Sequence, residues 1–182
     1  MRTFGWPLAM LALVAGCASP AKPPPAAPTA QNPTEAAHEQ YRAGVYSLSV
    51  AQESLATALD AVSTLRDQMP AGTEARESLS GVADSVDGAG ANIANVSTEA
   101  PSLEAFESRF AEYDDRRLAA ITAINDALHE LRDAQGALAD LAQSAKGMAA
   151  ELDRLSQRLD GAESDLLSAL EAFGGKDEGA GD

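Results

Sequence analysis

Apolar residues recur at every seventh position from Leu103 to Phe173, and only Arg117 interrupts that row. The positions three residues further on are also apolar or aromatic. The two rows are Leu103, Phe110, Arg117, Ile124, Leu131, Leu138, Ala145, Leu152, Leu159, Leu166 and Phe173, and Phe106, Tyr113, Ala120, Ala127, Ala134, Leu141, Met148, Leu155, Ala162 and Ala169. Two rows at this spacing predict a long helix that buries one stripe against other helices.

Two helices are predicted before this stripe. Asn32, followed by a proline and three residues later by a glutamate, is typical of a helix start, and that helix should end at Met69 before a Pro-Ala-Gly turn. Thr73 can cap a second helix that ends before Pro101. We therefore predict that residues 34–173 form an all-α domain. Its architecture should be an elongated antiparallel bundle or coiled coil of three long helices.

The lengths of these helices leave one alternative open. A single helix over residues 103–173 would be about 106 Å long, and the first two helices together cover only its first half. Its second half is rich in leucine, and each leucine is worth about 1.5–3 kcal/mol on burial. Either the helix breaks within residues 135–147 and closes a four-helix bundle, or it continues and pairs with another chain. The absence of proline favours the continuous helix. Its possible interaction seam is Leu152, Leu155, Leu159 and Leu166.

Composition narrows the class of protein. The chain has 182 residues and a formal charge of −15, and its apolar fraction of 45% includes few aromatic residues. A strongly negative surface repels phosphate backbones, so nucleic-acid binding is not expected. A single cysteine excludes a disulfide within one chain.

That cysteine ends an apolar run that starts at Phe4, after a short basic N-terminus. The run has the length of a signal peptide and is too short to cross a bilayer as a mature helix. Its last four residues, Val14-Ala15-Gly16-Cys17, resemble the lipobox of bacterial lipoproteins. The resemblance implies that residues 1–16 are removed and that Cys17 is acylated. Several acyl chains on one residue would anchor the protein stably in the lipid bilayer.

The residue after the cysteine bears on the membrane. Ala18 follows the cysteine, at the position where an aspartate would be typical of retention in the inner membrane. An alanine there resembles the signal for sorting to the outer membrane, where the protein would face the periplasm. The layout of an anchor followed by heptads resembles the small murein lipoproteins, which end in a lysine linked to peptidoglycan. This chain ends in Asp182, with Lys176 six residues inside, so no covalent peptidoglycan link is expected.

The segments that flank the helical domain have their own composition. Residues 17–33 carry six prolines and are expected to form a disordered linker that reaches at most about 50 Å. Gly174 and Gly175 should stop the last helix, and residues 174–182 then predict a disordered acidic tail.

Candidate chemistry is sparse. Glu35 with His38, and Asp126 with His129, each place a carboxylate one helical turn from an imidazole, as di-metal bundles do. Neither pair falls on the apolar stripe with further carboxylates, so these residues are expected to be solvated and no metal site is predicted. Arg117 is expected to extend out of the core, although a role in helix register or in partner contact stays open.

No catalytic residues and no cofactor are predicted, so the protein is not expected to be an enzyme. The expected role is structural or adaptor-like, through helix–helix contact with a protein partner or a second copy of the chain. The alternative is a periplasmic ligand-binding or sensory bundle with a small apolar ligand between its helices. An open seam would favour the first role, and a closed bundle with a cavity would favour the second.

Overall fold

The computed structural model describes residues 32–179 as helices and turns, with no strand in that range. Its helices are α1 (Pro33–Gln68), α2 (Glu74–Ala94), α3 (Leu103–Ser108), α4 (Phe110–Ser144) and α5 (Ala149–Ala172), and a 3₁₀ turn at Lys146–Met148 joins the last two. The predicted all-α class is confirmed. The apolar N-terminal run, Cys17 and the linker up to residue 31 lie outside the described residues.

The four long helices form a closed bundle. Helix α1 packs against α2 and α5, and α4 packs against the same two neighbours. Helices α1 and α5 are antiparallel, because Ser54 bonds to Asp165 at 2.5 Å while Gly44, nearer the start of α1, lies against Phe173 at the end of α5. Short turns join α1 to α2 and α4 to α5, and a longer connection that contains α3 joins α2 to α4. The result is the up-down-up-down arrangement of a four-helix bundle.

The predicted continuous third helix is wrong at two points. The chain leaves helical geometry at Arg109, with φ −132° and ψ 36°, and again after Ser144, where Ala145 has φ −101° and ψ 58°. The second break overlaps the window of the bundle alternative and extends one residue past it. Reversing the chain buries several leucines worth about 1.5–3 kcal/mol each. A short turn loses only a few hydrogen bonds, each worth about 1 kcal/mol net.

The proposed interaction seam lies inside the bundle. All four of its residues are buried in the core of this chain, as are most positions of the two heptad rows. The prediction that they face a partner is therefore wrong for this fold. The seam residues are Leu152, Leu155, Leu159 and Leu166.

The starts of α1 and α2 and the end of α5 follow the predicted capping chemistry, and α3 begins with a cap of the same kind. The side chains of Asn32, Thr73 and Ser102 accept hydrogen bonds from backbone N–H groups in the first turns of α1, α2 and α3. At the end of α5, Gly174 adopts φ +75°, and the N–H of Gly175 returns to the Leu170 carbonyl at 2.8 Å. Glycine suits this left-handed position because a Cβ would be strained there.

The prediction of a disordered tail from residue 174 is wrong for residues 174–179, which the structure describes. Asp177 accepts two hydrogen bonds from Arg132 of α4, at 2.9 and 2.6 Å, and Arg132 also donates to Glu163 of α5 at 2.9 Å. The bond from Arg132 lowers the pKa of Asp177. A paired carboxylate of this kind stays charged and holds the segment on α4.

None of the helices within residues 32–179 is both long enough and apolar enough to cross a membrane.

Candidate functional site at the aromatic end of the bundle

One end of the bundle, where α1 begins and α5 ends, collects aromatic side chains. We call it the aromatic end. The ring of Tyr41 lies 5.5–5.9 Å from those of Phe106, Tyr113 and Phe173, measured between centroids. Phe110 packs edge-on against Phe106. These contacts suit aromatic pairs, which prefer tilted and edge-to-face geometries.

His38 belongs to this end, and the expectation that it is solvated is wrong. It is buried, its ring lies 5.3 Å from that of Phe106, and its Nε2 is hydrogen-bonded to the Pro101 carbonyl at 2.8 Å. The chain between α2 and α3 folds over the first turns of α1 and covers the imidazole. His38 therefore ties this connection to α1.

The end of α5 is fixed by two contacts. Phe173 packs directly on the backbone of Gly44, where a Cβ would come within 2.5 Å of the ring. Arg117 donates from its guanidinium to the Phe173 carbonyl at 2.9 Å and to Asp114 at 2.9 Å. Arg117 does extend its charged head out of the core, as expected, and that head caps the neighbouring helix.

A groove of about 470 Å³ opens beside Tyr41, between the end of α2 and the first turns of α4. We call it the Tyr41 groove. Its size falls within the range of small-molecule sites. Its lining residues are Tyr41, Asn92, Asn95, Val96, Ser97, Arg116, Ala119, Ala120, Ala123 and Phe173. Alanine methyl groups, Val96 and the rings of Tyr41 and Phe173 thus form its apolar part, and hydroxyl, amide and guanidinium groups supply its polar part.

The hydroxyl of Tyr41 has no hydrogen-bond partner within residues 32–179, although Tyr41 is only 3% exposed. The corresponding oxygen of Tyr113 accepts a hydrogen bond from Arg109 at 3.0 Å. No polar side-chain atom in the described range is both fully buried and unpartnered, so the Tyr41 oxygen reaches the groove. Burial raises the pKa of Tyr41, and Arg116 offsets part of that rise. The hydroxyl is thus a neutral group that can donate into the groove.

Arg116 supplies the positive charge of the groove. Its guanidinium lies 5.3 Å from the centre of the Tyr113 ring and donates one hydrogen bond to Glu112. Arg116 and Glu112 therefore form an exposed ion pair on α4. A guanidinium has five N–H donors, so most of those on Arg116 remain for other acceptors.

The Tyr41 groove differs in charge from other grooves of this chain. Its lining contains one arginine and no carboxylate. Four other grooves of similar size each include at least one aspartate or glutamate. In a chain with a formal charge of −15, an anion meets less repulsion in a groove without carboxylates than in these four.

The remaining candidate residues do not assemble a site. His129 is exposed and lies 3.8 Å from Asp133, a surface pair of little energetic weight. Asp126 is also exposed, on the same stretch of α4. Within residues 32–179, no group of three or more histidine, cysteine, aspartate or glutamate side chains is arranged to hold a metal ion.

The sequence patterns did not single out Tyr41, Asn92 or Arg116 as site residues. Tyr41 is one of the buried residues of α1, and Arg116 is exposed on α4, so neither stands out in the sequence. One signal was available in the sequence. All six aromatic residues after residue 17 lie within the first turns of α1, within residues 106–113, or at the end of α5. In an antiparallel bundle these segments meet at one end.

The chain matches no protein-family model, no curated protein and no solved structure. Its function has to be inferred from its own residues and their arrangement. Two features carry that inference: the sequence Val14-Ala15-Gly16-Cys17, which resembles a lipobox, and the Tyr41 groove.

Proposed function

We propose that this protein is a lipid-anchored lipoprotein of a bacterial cell envelope, with a binding role and no catalytic activity. The observation that carries the proposal is the sequence Val14-Ala15-Gly16-Cys17 after an apolar run of signal-peptide length. Acyl chains on Cys17 hold the protein in the outer membrane, facing the periplasm. A proline-rich linker then connects the anchor to a stable helical domain.

The covalent order of the chain supports this arrangement. Asn32 and Pro33, the last two residues of the predicted linker, form the cap and the first residue of α1, so the chain enters the bundle at its aromatic end. A linker of this length allows the bundle to stand up to about 50 Å from the bilayer. The aromatic end is therefore the end to which the anchor is covalently connected.

In this proposal the protein acts as an adaptor or structural element by contact with a protein partner or a second copy of the chain. Because the heptad rows are buried, this contact uses the outer faces of the helices. Large apolar side chains are exposed on those faces at Tyr46, which is 72% accessible, and at Leu118, which is 50% accessible. Tyrosine is a frequent anchor in protein interfaces because it offers contact area at low cost in conformational entropy.

Replacing Cys17 by serine tests the anchor. The variant should carry no acyl chains, keep its signal peptide and fail to reach the outer membrane, because the thiol is the atom that receives the first lipid. Ser19→Ala, which keeps the cysteine, is the matched control and should behave as the parent. Mass spectrometry of the purified N-terminus and membrane fractionation provide the measurement. A Cys17→Ser variant that is cleaved and lipidated normally would refute the anchor.

Photo-crosslinking in intact cells tests the adaptor role. A photoreactive side chain at Tyr46 or Leu118 should give discrete crosslinked products, because these side chains offer the apolar contact area of the outer faces. The same group at Asp140, an exposed polar position of α4, should give none. Equal product from all three positions, or product from none, would argue against a partner at these faces.

A small ligand is the second candidate for the binding role. The observation in its favour is the Tyr41 groove, with its free hydroxyl, its single arginine and its apolar floor. This candidate corresponds to the sensory or ligand-binding alternative that the sequence left open.

A further inference from the structure

We infer that the Tyr41 groove binds a small apolar monocarboxylate. The inference rests on the proposed non-catalytic binding role and names the ligand class and the residues that would hold it. It does not depend on a partner at the outer helix faces.

The first argument is the position of the Tyr41 hydroxyl. The side chain of Tyr41 is buried in the core as a whole, and its oxygen is the part that is accessible from the groove. Here the oxygen faces the groove without a partner in the described part of the chain. A ligand acceptor atom at this point would complete the hydrogen bonding of the side chain.

The second argument is the charge of the lining. Arg116 is held by Glu112 on one side and by the ring of Tyr113 beneath, so its remaining donors are already oriented before a ligand arrives. Oriented guanidinium donors match a carboxylate, which can accept two parallel N–H bonds. The C-terminal end of α2 contributes partial negative charge to the same groove. Retention of an anion must therefore come from Arg116.

The third argument is the shape of the floor. Ala119, Ala120 and Ala123 present only methyl groups, and the Phe173 ring closes one end. Small side chains leave room for the flat or extended hydrocarbon part of a ligand. Asn92 belongs to α2 and is half-buried where it lines the groove, so its amide is accessible to a further polar atom of a ligand. Together these features describe a ligand with one anionic end and a short apolar body.

The test uses 4-phenylbutyrate as the probe and the purified, lipidated full-length protein in detergent micelles. Equilibrium dialysis with the same micelles on both sides of the membrane cancels partition of the probe into detergent. For a ligand of this size in a groove that stays partly open, we expect a dissociation constant of about 0.1–1 mM. The neutral amide, 4-phenylbutanamide, should bind at least about tenfold more weakly because it lacks the charge that pairs with Arg116.

Two variants assign the contacts. Tyr41→Phe removes only the unpartnered oxygen, so it should leave thermal unfolding unchanged and weaken binding by about three- to tenfold. Arg116→Gln should weaken binding by about tenfold or more. Arg109→Gln is the matched control: Arg109 also lies over Tyr113 and pairs with Glu112 but does not line the groove, so binding should be retained.

Three results would overturn the inference: no saturable binding of 4-phenylbutyrate, equal binding of its amide, or parent-like binding by the Arg116→Gln variant. A negative result in the dialysis experiment would not affect the proposed lipid anchor, since the anchor is tested separately by the Cys17→Ser variant. If Cys17 carries no lipid but the protein binds 4-phenylbutyrate as expected, the anchor is refuted and the assignment of the groove stands.

Discussion

A variant in which Leu152, Leu155 and Leu159 are all replaced by alanine should not fold at 25 °C. All three side chains are buried in the core, where α5 closes the bundle. Truncating a buried leucine costs about 2–5 kcal/mol, so three truncations remove about 6–15 kcal/mol, as much as the whole stability of a typical domain. Circular dichroism should show loss of helix throughout the chain, including the first half, because all four helices share one core.

The control for this variant lies on the same helix. Glu151, Arg154 and Arg158 are exposed on the outer face of α5, and a triple alanine replacement there should leave thermal unfolding close to that of the parent. Sedimentation separates the two architectures. If the leucine variant kept its helix content and lost only self-association, the three leucines would face a partner, and the closed bundle would be wrong.

The second large effect is a loss of stability expected for the Gly44→Ala variant. Alanine normally favours a helix over glycine by up to about 1 kcal/mol, so a loss here needs a specific cause. A Cβ at this position would lie 2.5 Å from the Phe173 ring, and that ring is enclosed by Tyr41 and the end of α5. Gly44→Ala should therefore lower the free energy of unfolding by about 1–3 kcal/mol, the usual cost of overpacking a core. Chemical denaturation of the variant and the parent gives this difference.

Two further variants identify the cause. Gly136→Ala places the same methyl group on α4 with no atom within 4 Å, so it should raise stability by up to about 1 kcal/mol. Adding Phe173→Leu to Gly44→Ala should recover part of the loss, because the smaller side chain makes room for the methyl group. If Gly44→Ala is as stable as the parent, Phe173 is not held against α1 as described.

Much of the helical layout could be predicted from the sequence. Asn32 and Thr73 begin helices as their capping side chains indicate. The heptad rows also predicted the buried positions well, since burial against any neighbouring helix requires the same spacing. These features depend on local chain geometry and on the period of apolar residues, which a single sequence contains.

The turn between α4 and α5 could not be predicted in the same way. Ala145 and Met148 sit on the heptad rows and pack partly against the core, so the seven-residue spacing continues through the turn without a change. No proline marks the break, and Gly147 lies on the outer side of the heptad. The break results from packing against α1, a helix about 100 residues earlier in the chain. Periodicity within one helix carries no information about that contact.

The groove was missed for a related reason. Tyr41 occupies a core position of α1, and a heptad pattern predicts only that such a side chain is buried. Its hydroxyl reaches a groove because Asn92 at the end of α2 and Arg116 at the start of α4 are brought to the same end of the bundle. Those residues lie on three different helices, so the site exists only after the bundle closes.

The most direct test of the fold-back of α5 onto α4 is a distance between spin labels at two exposed positions. Thr122→Cys and Ser168→Cys, in a chain with Cys17→Ser, place one label on each helix. Neighbouring antiparallel helices lie about 8–10 Å apart, so with the label arms we expect a distance below about 25 Å. A continuous helix would hold the same two positions about 69 Å apart. A distance near that value in the folded monomer would contradict the closed bundle, and a short distance would establish that the chain buries its own heptad seam.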